Sequence, residues 1–162
     1  MSDRILIAAD HAGFALKQRL VSWLRENGYD VGDLGAPSAE PADYADFAHP
    51  LAEGVAGGEA ERGVLLCGTG LGMSYVANRY PGVRAAVAWS PEVAELSRRH
   101  NDANVLALPA RFLNEEQATQ ILQTWLQTPF EGGRHERRVA KIERDEPRHR
   151  QRAAAPEATE TR

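Results

Sequence analysis

The sequence is short of the features that mark secreted, membrane-spanning and metal-centred proteins. It holds one cysteine, Cys67, among 162 residues. No intrachain disulfide can form, and a lone thiol fits a reducing compartment. No run approaches the roughly 20 apolar residues that a membrane span needs. The amino-terminal stretch MSDRILIAADHAGF has an apolar run too short for a secretory signal and lacks its small-residue cleavage site. A cytoplasmic protein without a membrane partner is expected. No set of His, Cys, Asp and Glu residues has metal-ligand spacing, and no internal repeat is present. Aromatic residues are missing from the basic end of the chain. Residues 1–133 carry 10 Lys+Arg against 17 Asp+Glu, whereas residues 134–162 carry 9 against 6. Glu136, Glu143, Asp145 and Glu146 interrupt the basic run, and no Phe, Tyr or Trp is there to stack on bases. A nucleic-acid partner is therefore not expected. The basic segment reads as a solvated amphipathic helix with a local anion site at its start.

What is present is the material of one domain. The length and the 43% hydrophobic content allow a core without staples. Apolar runs alternate with helical periodicity. Strands are predicted at Arg4–Ala9, Tyr29–Leu34, Gly63–Cys67, Val83–Trp89 and Asn104–Leu108. Helices are predicted over Gly13–Asn27, Tyr44–Ala56, Gly72 to about Arg79, Pro91–His100 and Glu115–Gln127, with a last one from Arg134 to about residue 146. Asp43, Ser90 and Asn114 read as N-caps, Asn114 with Gln117 as a capping box. Pro50 removes a backbone donor and clashes with the preceding turn, so a kink or restart is expected near His49. Residues 1–146 form one α/β domain, and 147–162 read as a basic to polar, flexible tail. Strands separated by single helices imply parallel units with right-handed crossovers. The fold class is α/β: a three-layer α/β/α sandwich around an open, five-stranded, Rossmann-like parallel sheet. Ligands of such sheets bind beyond the carboxyl ends of the strands. That filter selects Asp10-His11, Cys67–Gly72, Trp89-Ser90 and Pro109–Arg111.

The chemistry concentrates in those segments. Asp10 and His11 offer a carboxylate and an imidazole to position a hydroxyl or move a proton, or else Asp10 simply caps the first helix. Cys67-Gly68-Thr69-Gly70-Leu71-Gly72 is the most informative stretch. Its glycines let backbone N–H groups approach a ligand, and donors beside a sulfur favour the thiolate as base or nucleophile. Two other signatures fail at Met73: the dinucleotide fingerprint needs glycine there, and the cysteine phosphatase motif needs arginine. His100 and Asn101 close a helix, an ordinary place for such residues. Arg134 and Arg138 lie four apart on one helix face, a spacing that repels unless a phosphate is bound between the forks. His135 and Arg137 read only as additions to that basic end.

Together the motifs AADHAGFALK (8–17), DYADFA (43–48), LLCGTGLGMSYVANRYPGVRAAVAWS (65–90), SRRHNDANVLALPAR (97–111) and FEGGRHERRV (130–139) resemble the type B ribose-5-phosphate isomerases. These belong to the ribose/galactose isomerase family, and the resemblance covers about residues 4–145. It implies aldose–ketose isomerisation of a phosphorylated pentose through an enediolate, with no metal or organic cofactor. By motif, Cys67 matches the base and His100 the ring-opening acid. Thr69 stands with these catalytic residues inside the Gly68, Gly70, Leu71 and Gly72 cradle. Asp10, His11, Asn101, Arg111, Arg134 and Arg138 match substrate and phosphate contacts. Some relatives lack the cysteine and carry glutamate at the position of Met73, so this chain falls with the cysteine-base group. The resemblance further implies a homodimer, alone or as a dimer of dimers, and topology, which puts Cys67 and Asp10 at one edge of the sheet and His100 and Asn101 near the other, leads to the expectation that its active sites are shared. Two other readings stand beside it: an isomerase of a six-carbon sugar phosphate, such as galactose 6-phosphate or allose 6-phosphate, and a non-catalytic sugar-phosphate-binding module.

Overall fold

The structure, a computed structural model, describes residues 3–143. Strands β1 (Arg4–Ala9), β2 (Asp30–Asp33), β3 (Arg62–Cys67), β4 (Ala85–Val87) and β5 (Val105–Pro109) alternate with helices α1 (Phe14–Glu26), α2 (Tyr44–Ala56), α3 (Leu71–Ala77), α4 (Pro91–Asn101) and α5 (Glu115–Gln127). Helix α6 (Arg134–Ala140) follows. The strands form one parallel sheet in the order β2-β1-β3-β5-β4. This is the expected open sandwich, and its layering follows from the period of two along each strand. Ile5, Ile7, Ala9, Val64, Leu66, Leu106 and Leu108 pack with Leu20, Leu24, Ile121 and Trp125 of α1 and α5. Leu6, Ala8, Leu65, Cys67, Val105 and Ala107 pack with Leu51, Ala52, Met73 and Ala77 of α2 and α3. Both faces are covered, which is why β1, β3 and β5 read as continuous apolar runs.

The caps repeat the same logic. Asn114 accepts the Gln117 N–H at 2.8 Å while the Gln117 side chain accepts the Asn114 N–H at 2.9 Å. Ser90 accepts from Val93 at 3.3 Å. Asp43 departs from expectation: its side chain caps nothing, and its backbone carbonyl takes the Asp46 N–H instead. Pro50 does not break its helix either. Residues Tyr44–Ala56 run as one helix, because Ala48, Leu51, Ala52 and Val55 are all buried against the sheet. One missing N–H bond does not outweigh that anchored face. Strand β4 is shorter than its apolar run, because side chains intercept its start: Asn104 Oδ1 takes the Arg84 N–H and Asn78 Oδ1 takes the Ala85 N–H. The last helix is also shorter than expected. It ends at Ala140, with turns over 141–143. The remainder of its expected span and the 147–162 tail lie outside the described residues. Among the described residues no helix is long and apolar enough to cross a membrane.

Candidate active site

The chain reverses its direction of strand addition between β1 and β3, the place where open α/β sheets generally receive ligands. Asp10 leaves β1 and Cys67 ends β3. The Asp10 N–H donates to the Leu66 carbonyl at 3.2 Å, which sets the two side by side. Cys67 is buried, and its Sγ accepts the Gly70 N–H at 3.2 Å. A backbone donor aimed at sulfur stabilises negative charge there. Gly70 makes the turn with φ +74°, a left-handed conformation that costs glycine nothing. A methyl at Gly72 would meet the phenol ring of Tyr44 at 2.7 Å, so the turn is walled by the start of α2. Helix α3 is only seven residues long. The individual N–H groups of the turn, rather than a macrodipole, are what an anion would meet. Thr69 Oγ1 accepts the Leu71 N–H at 3.2 Å.

The other near-end residues arrange themselves around this turn. Asp10 does not cap α1, whose N-cap is Gly13 without a side-chain bond: its Oδ1 takes the Ala12 and Gly13 N–H groups at 2.9 and 3.2 Å and so fixes the turn that precedes the helix. His11 Nδ1 lies 3.1 Å from the Ala42 nitrogen and 3.2 Å from the Ala42 carbonyl oxygen, so backbone contact with that one residue holds the ring. Arg111 belongs to the same end. Its N–H donates to Gly68 O at 3.1 Å, and its side chain comes within 3.1 Å of where a β-carbon on Gly68 would sit.

His100, Asn101, Arg134 and Arg138 do not join this group within one chain. Helix α4 runs back to the amino ends of the strands, and Asn101 is its last residue. Along the sheet, Gly63 pairs with Val105 and Cys67 with Pro109. Those four steps span roughly 13 Å at a strand's rise per residue. The Glu131 N–H donates to Arg99 O at 3.1 Å, which ties the start of α6 to the last turn of α4. Arg134 and Arg138, both exposed, therefore stand with His100 rather than with Cys67. A separate recess of 580 Å³ also lies at the amino ends, among Arg62, Arg84, Arg98 and Asp102. Its guanidinium groups bond to Asp3, Asp102 and backbone carbonyls, so it reads as a structural clasp.

The residue that sequence reasoning missed is His135. It is 4% exposed, and its ring stacks on His100 with centroids 4.3 Å apart and planes 12° apart. Glu131 approaches His135 Nε2 at 3.8 Å, and Arg99 binds the other Glu131 oxygen at 2.9 Å. His100, Glu131 and His135 bring ligand atoms within 4.8 Å of one another. This grouping corrects the absence read from linear spacing, since one member comes from another helix. Stacked parallel rings, however, hold their in-plane lone pairs side by side rather than converging on one ion, and Glu131 is already engaged by Arg99. The only sequence signal was Glu131 and His135 four apart. Burial first, then the charges of His100, Arg134 and Arg138, push the His135 imidazole below its ordinary 6.5, against the opposing pull of Glu131. The Arg99 guanidinium holds the Glu131 carboxyl below the usual range.

A pH signature follows. The unfolded chain protonates residue 135 as pH falls through 6.5, whereas the folded chain resists. Stability from this group is complete above that pH and declines below it, toward the depressed folded value. Thermal melts from pH 7.5 to 5.5 are expected to show a steeper loss for the native chain than for His135→Phe. Parallel slopes would show that the buried ring is not neutral.

The profile of the ribose/galactose isomerase family matches residues 5–142. Ribose-5-phosphate isomerase B of Escherichia coli (strain K12) is 47% identical over 139 residues, spanning 86% of this chain and 93% of that protein. The solved ribose 5-phosphate isomerase of Thermotoga maritima is 49% identical with a TM-score of 0.86, covering 88% of this chain and 99% of its own. Ribose-5-phosphate isomerase B of Mycoplasma genitalium, solved with bound ribulose-5-phosphate, is 39% identical with a TM-score of 0.85, covering 93% and 98%. A parallel sheet with a thiol, a carboxylate and a glycine turn at its switch point is thus the scaffold of a sugar isomerase, an intramolecular oxidoreductase. The chain belongs to the ribose/galactose isomerase family, and the resemblance to its type B members that the motifs carry holds along the whole matched length.

Proposed function

We propose that the protein interconverts D-ribose 5-phosphate and D-ribulose 5-phosphate through an enediolate, in a homodimer whose two active sites are shared. The observation that carries this is the Cys67 sulfur, bonded by the Gly70 N–H and adjacent to Asp10 at the switch point. Isomerisation moves one hydrogen from C2 to C1. Cys67 as thiolate takes the C2 proton, and the electrons left behind shift the C1 carbonyl to an enediolate oxygen. Returning that proton to C1 while the O2 proton passes to O1 yields the ketose, with its C2 carbonyl and C1 hydroxyl. The developing oxyanion requires donors in place before the reaction. The N–H groups of the Gly68–Gly72 turn other than those of Gly70 and Leu71, which bond Cys67 and Thr69, supply them, with Thr69 free to donate its hydroxyl proton. Asp10, His11 and Arg111 hold the sugar hydroxyls. Because the substrate enters as a ring, His100 takes the anomeric hydroxyl proton and delivers a proton to the ring oxygen. In this reading His100 and Asn101 come from the second subunit, together with Arg134 and Arg138 for the phosphate. A two-fold axis repeats the arrangement and makes two identical sites.

The deciding experiment is a coupled assay with ribose 5-phosphate beside allose 6-phosphate and galactose 6-phosphate. Turnover of the five-carbon substrate supports the proposal, and turnover of a six-carbon substrate alone overturns it. The phosphate assignment has its own test. Arg134→Ala or Arg138→Ala is expected to weaken binding of the phosphorylated sugar by roughly 1.5–3 kcal/mol, as for a hydrogen bond to a charged group. Binding of free ribose should change little, and equal losses for both sugars would make the arginines structural.

A further inference from the structure

We propose that His135 is a positioning residue for ring opening: its buried imidazole is the flat platform that fixes the ring plane of His100. The inference rests on the ring-opening role of His100 given above.

The χ2 rotation of a half-buried histidine is broad and nearly two-fold. A ring that must take a proton from one sugar oxygen and deliver it to another gains from being held in a single plane. The stack at 4.3 Å and 12° supplies that plane. The platform itself is immobile. His135 is 4% exposed on α6, and that helix is pinned to α4 by the Glu131 N–H to Arg99 O bond and the Arg99–Glu131 ion pair. His135 Nε2 is buried without a hydrogen bond, because Glu131 stops at 3.8 Å. The ring is therefore held by packing on His100 rather than by a polar tether. Two imidazoles in face contact resist carrying two charges. Among the groups facing the pair, His100 from α4 and Arg134 and Arg138 from α6 disfavour a proton on His135, and only Glu131 favours one. His100 is the more exposed ring of the two.

The test isolates ring opening from isomerisation. In the Cys67→Ala protein the C2 proton stays in place, and exchange between the α and β anomers of ribose 5-phosphate, read by NMR exchange spectroscopy, reports ring opening alone. That protein is expected to accelerate exchange above the spontaneous rate. Adding His135→Phe, which keeps a flat neutral ring, should retain at least about a third of the acceleration. Adding His135→Met, similar in bulk but without a flat face, should lose about tenfold or more. If the methionine chain does not fold, His135→Gln takes its place. Equal effects of the phenylalanine and non-aromatic variants, whether both harmless or both severe, overturn the positioning role. Absence of any acceleration in Cys67→Ala itself overturns the ring-opening reading of His100, and this inference falls with it.

Discussion

Replacing Cys67 by alanine is expected to lower turnover by about 10²–10⁴, the usual worth of a positioned general base, while substrate still binds. The size follows from what the variant keeps. The sulfur is one atom at the end of β3, and the Gly70 N–H that now bonds it would remain with the rest of the turn. Asp10, His11 and Arg111 hold their places through backbone partners that do not involve the thiol. The substrate's phosphate and hydroxyl contacts therefore survive, and the loss falls on kcat rather than on KM. Steady-state kinetics on purified Cys67→Ala, with circular dichroism to confirm the fold, make the measurement. Turnover within a few-fold of the native chain would remove Cys67 from the reaction and leave the carboxylate of Asp10 as the next base to test.

The second large effect is a recovery. Cys67→Ala and His100→Ala chains, each inactive alone, are expected to regain activity when mixed under conditions that allow subunit exchange. In a shared site, one of the two sites of a mixed dimer draws both defects and the other draws none. A mixed dimer therefore works at up to about half the native rate. Cys67 lies at the carboxyl end of β3, and α4 delivers His100 to the amino ends, roughly 13 Å back along the strands. No rotamer of either side chain closes that gap around a small sugar. Lack of recovery, with exchange demonstrated by native mass spectrometry, would place both residues in the site of a single chain and overturn the shared arrangement.

Much of the fold was legible because its signals are local. The capping box at Asn114 and Gln117, the Ser90-Pro91 start and the apolar run of β3 each act over a few residues, and each appears in the structure as read. Pro50 misled because its local cost is outweighed by an anchored helix face, which sequence does not reveal at that point. The near half of the candidate site followed from topology, since Asp10 and Cys67 both leave strands at the same edge. Arg111 came from the same strand-end filter, and the structure adds the bond from its N–H to Gly68 O that its sequence neighbours do not indicate. His135 was hidden for a different reason. In the run Arg134–Arg138 it reads as one more basic residue, and only the packing of α6 on α4 turns that position inward.

The turn after Cys67 is shaped by atoms it does not have. At Gly70 a β-carbon would sit 3.3 Å from Leu108 and Val87 in a left-handed backbone, and at Gly72 it would strike Tyr44. The cost of such a turn is not visible in the folded protein, where every neighbour is satisfied. It is carried by the unfolded chain, whose glycines have the most freedom to lose on folding. Stabilising this protein by replacing glycines with alanine, a reasonable strategy elsewhere, would here harden the denatured ensemble and close the cradle in the same stroke. Thermal robustness for this fold has to come from outside the turn, at caps and surface helices, where side chains can be added without crowding Tyr44, Leu108 and Val87.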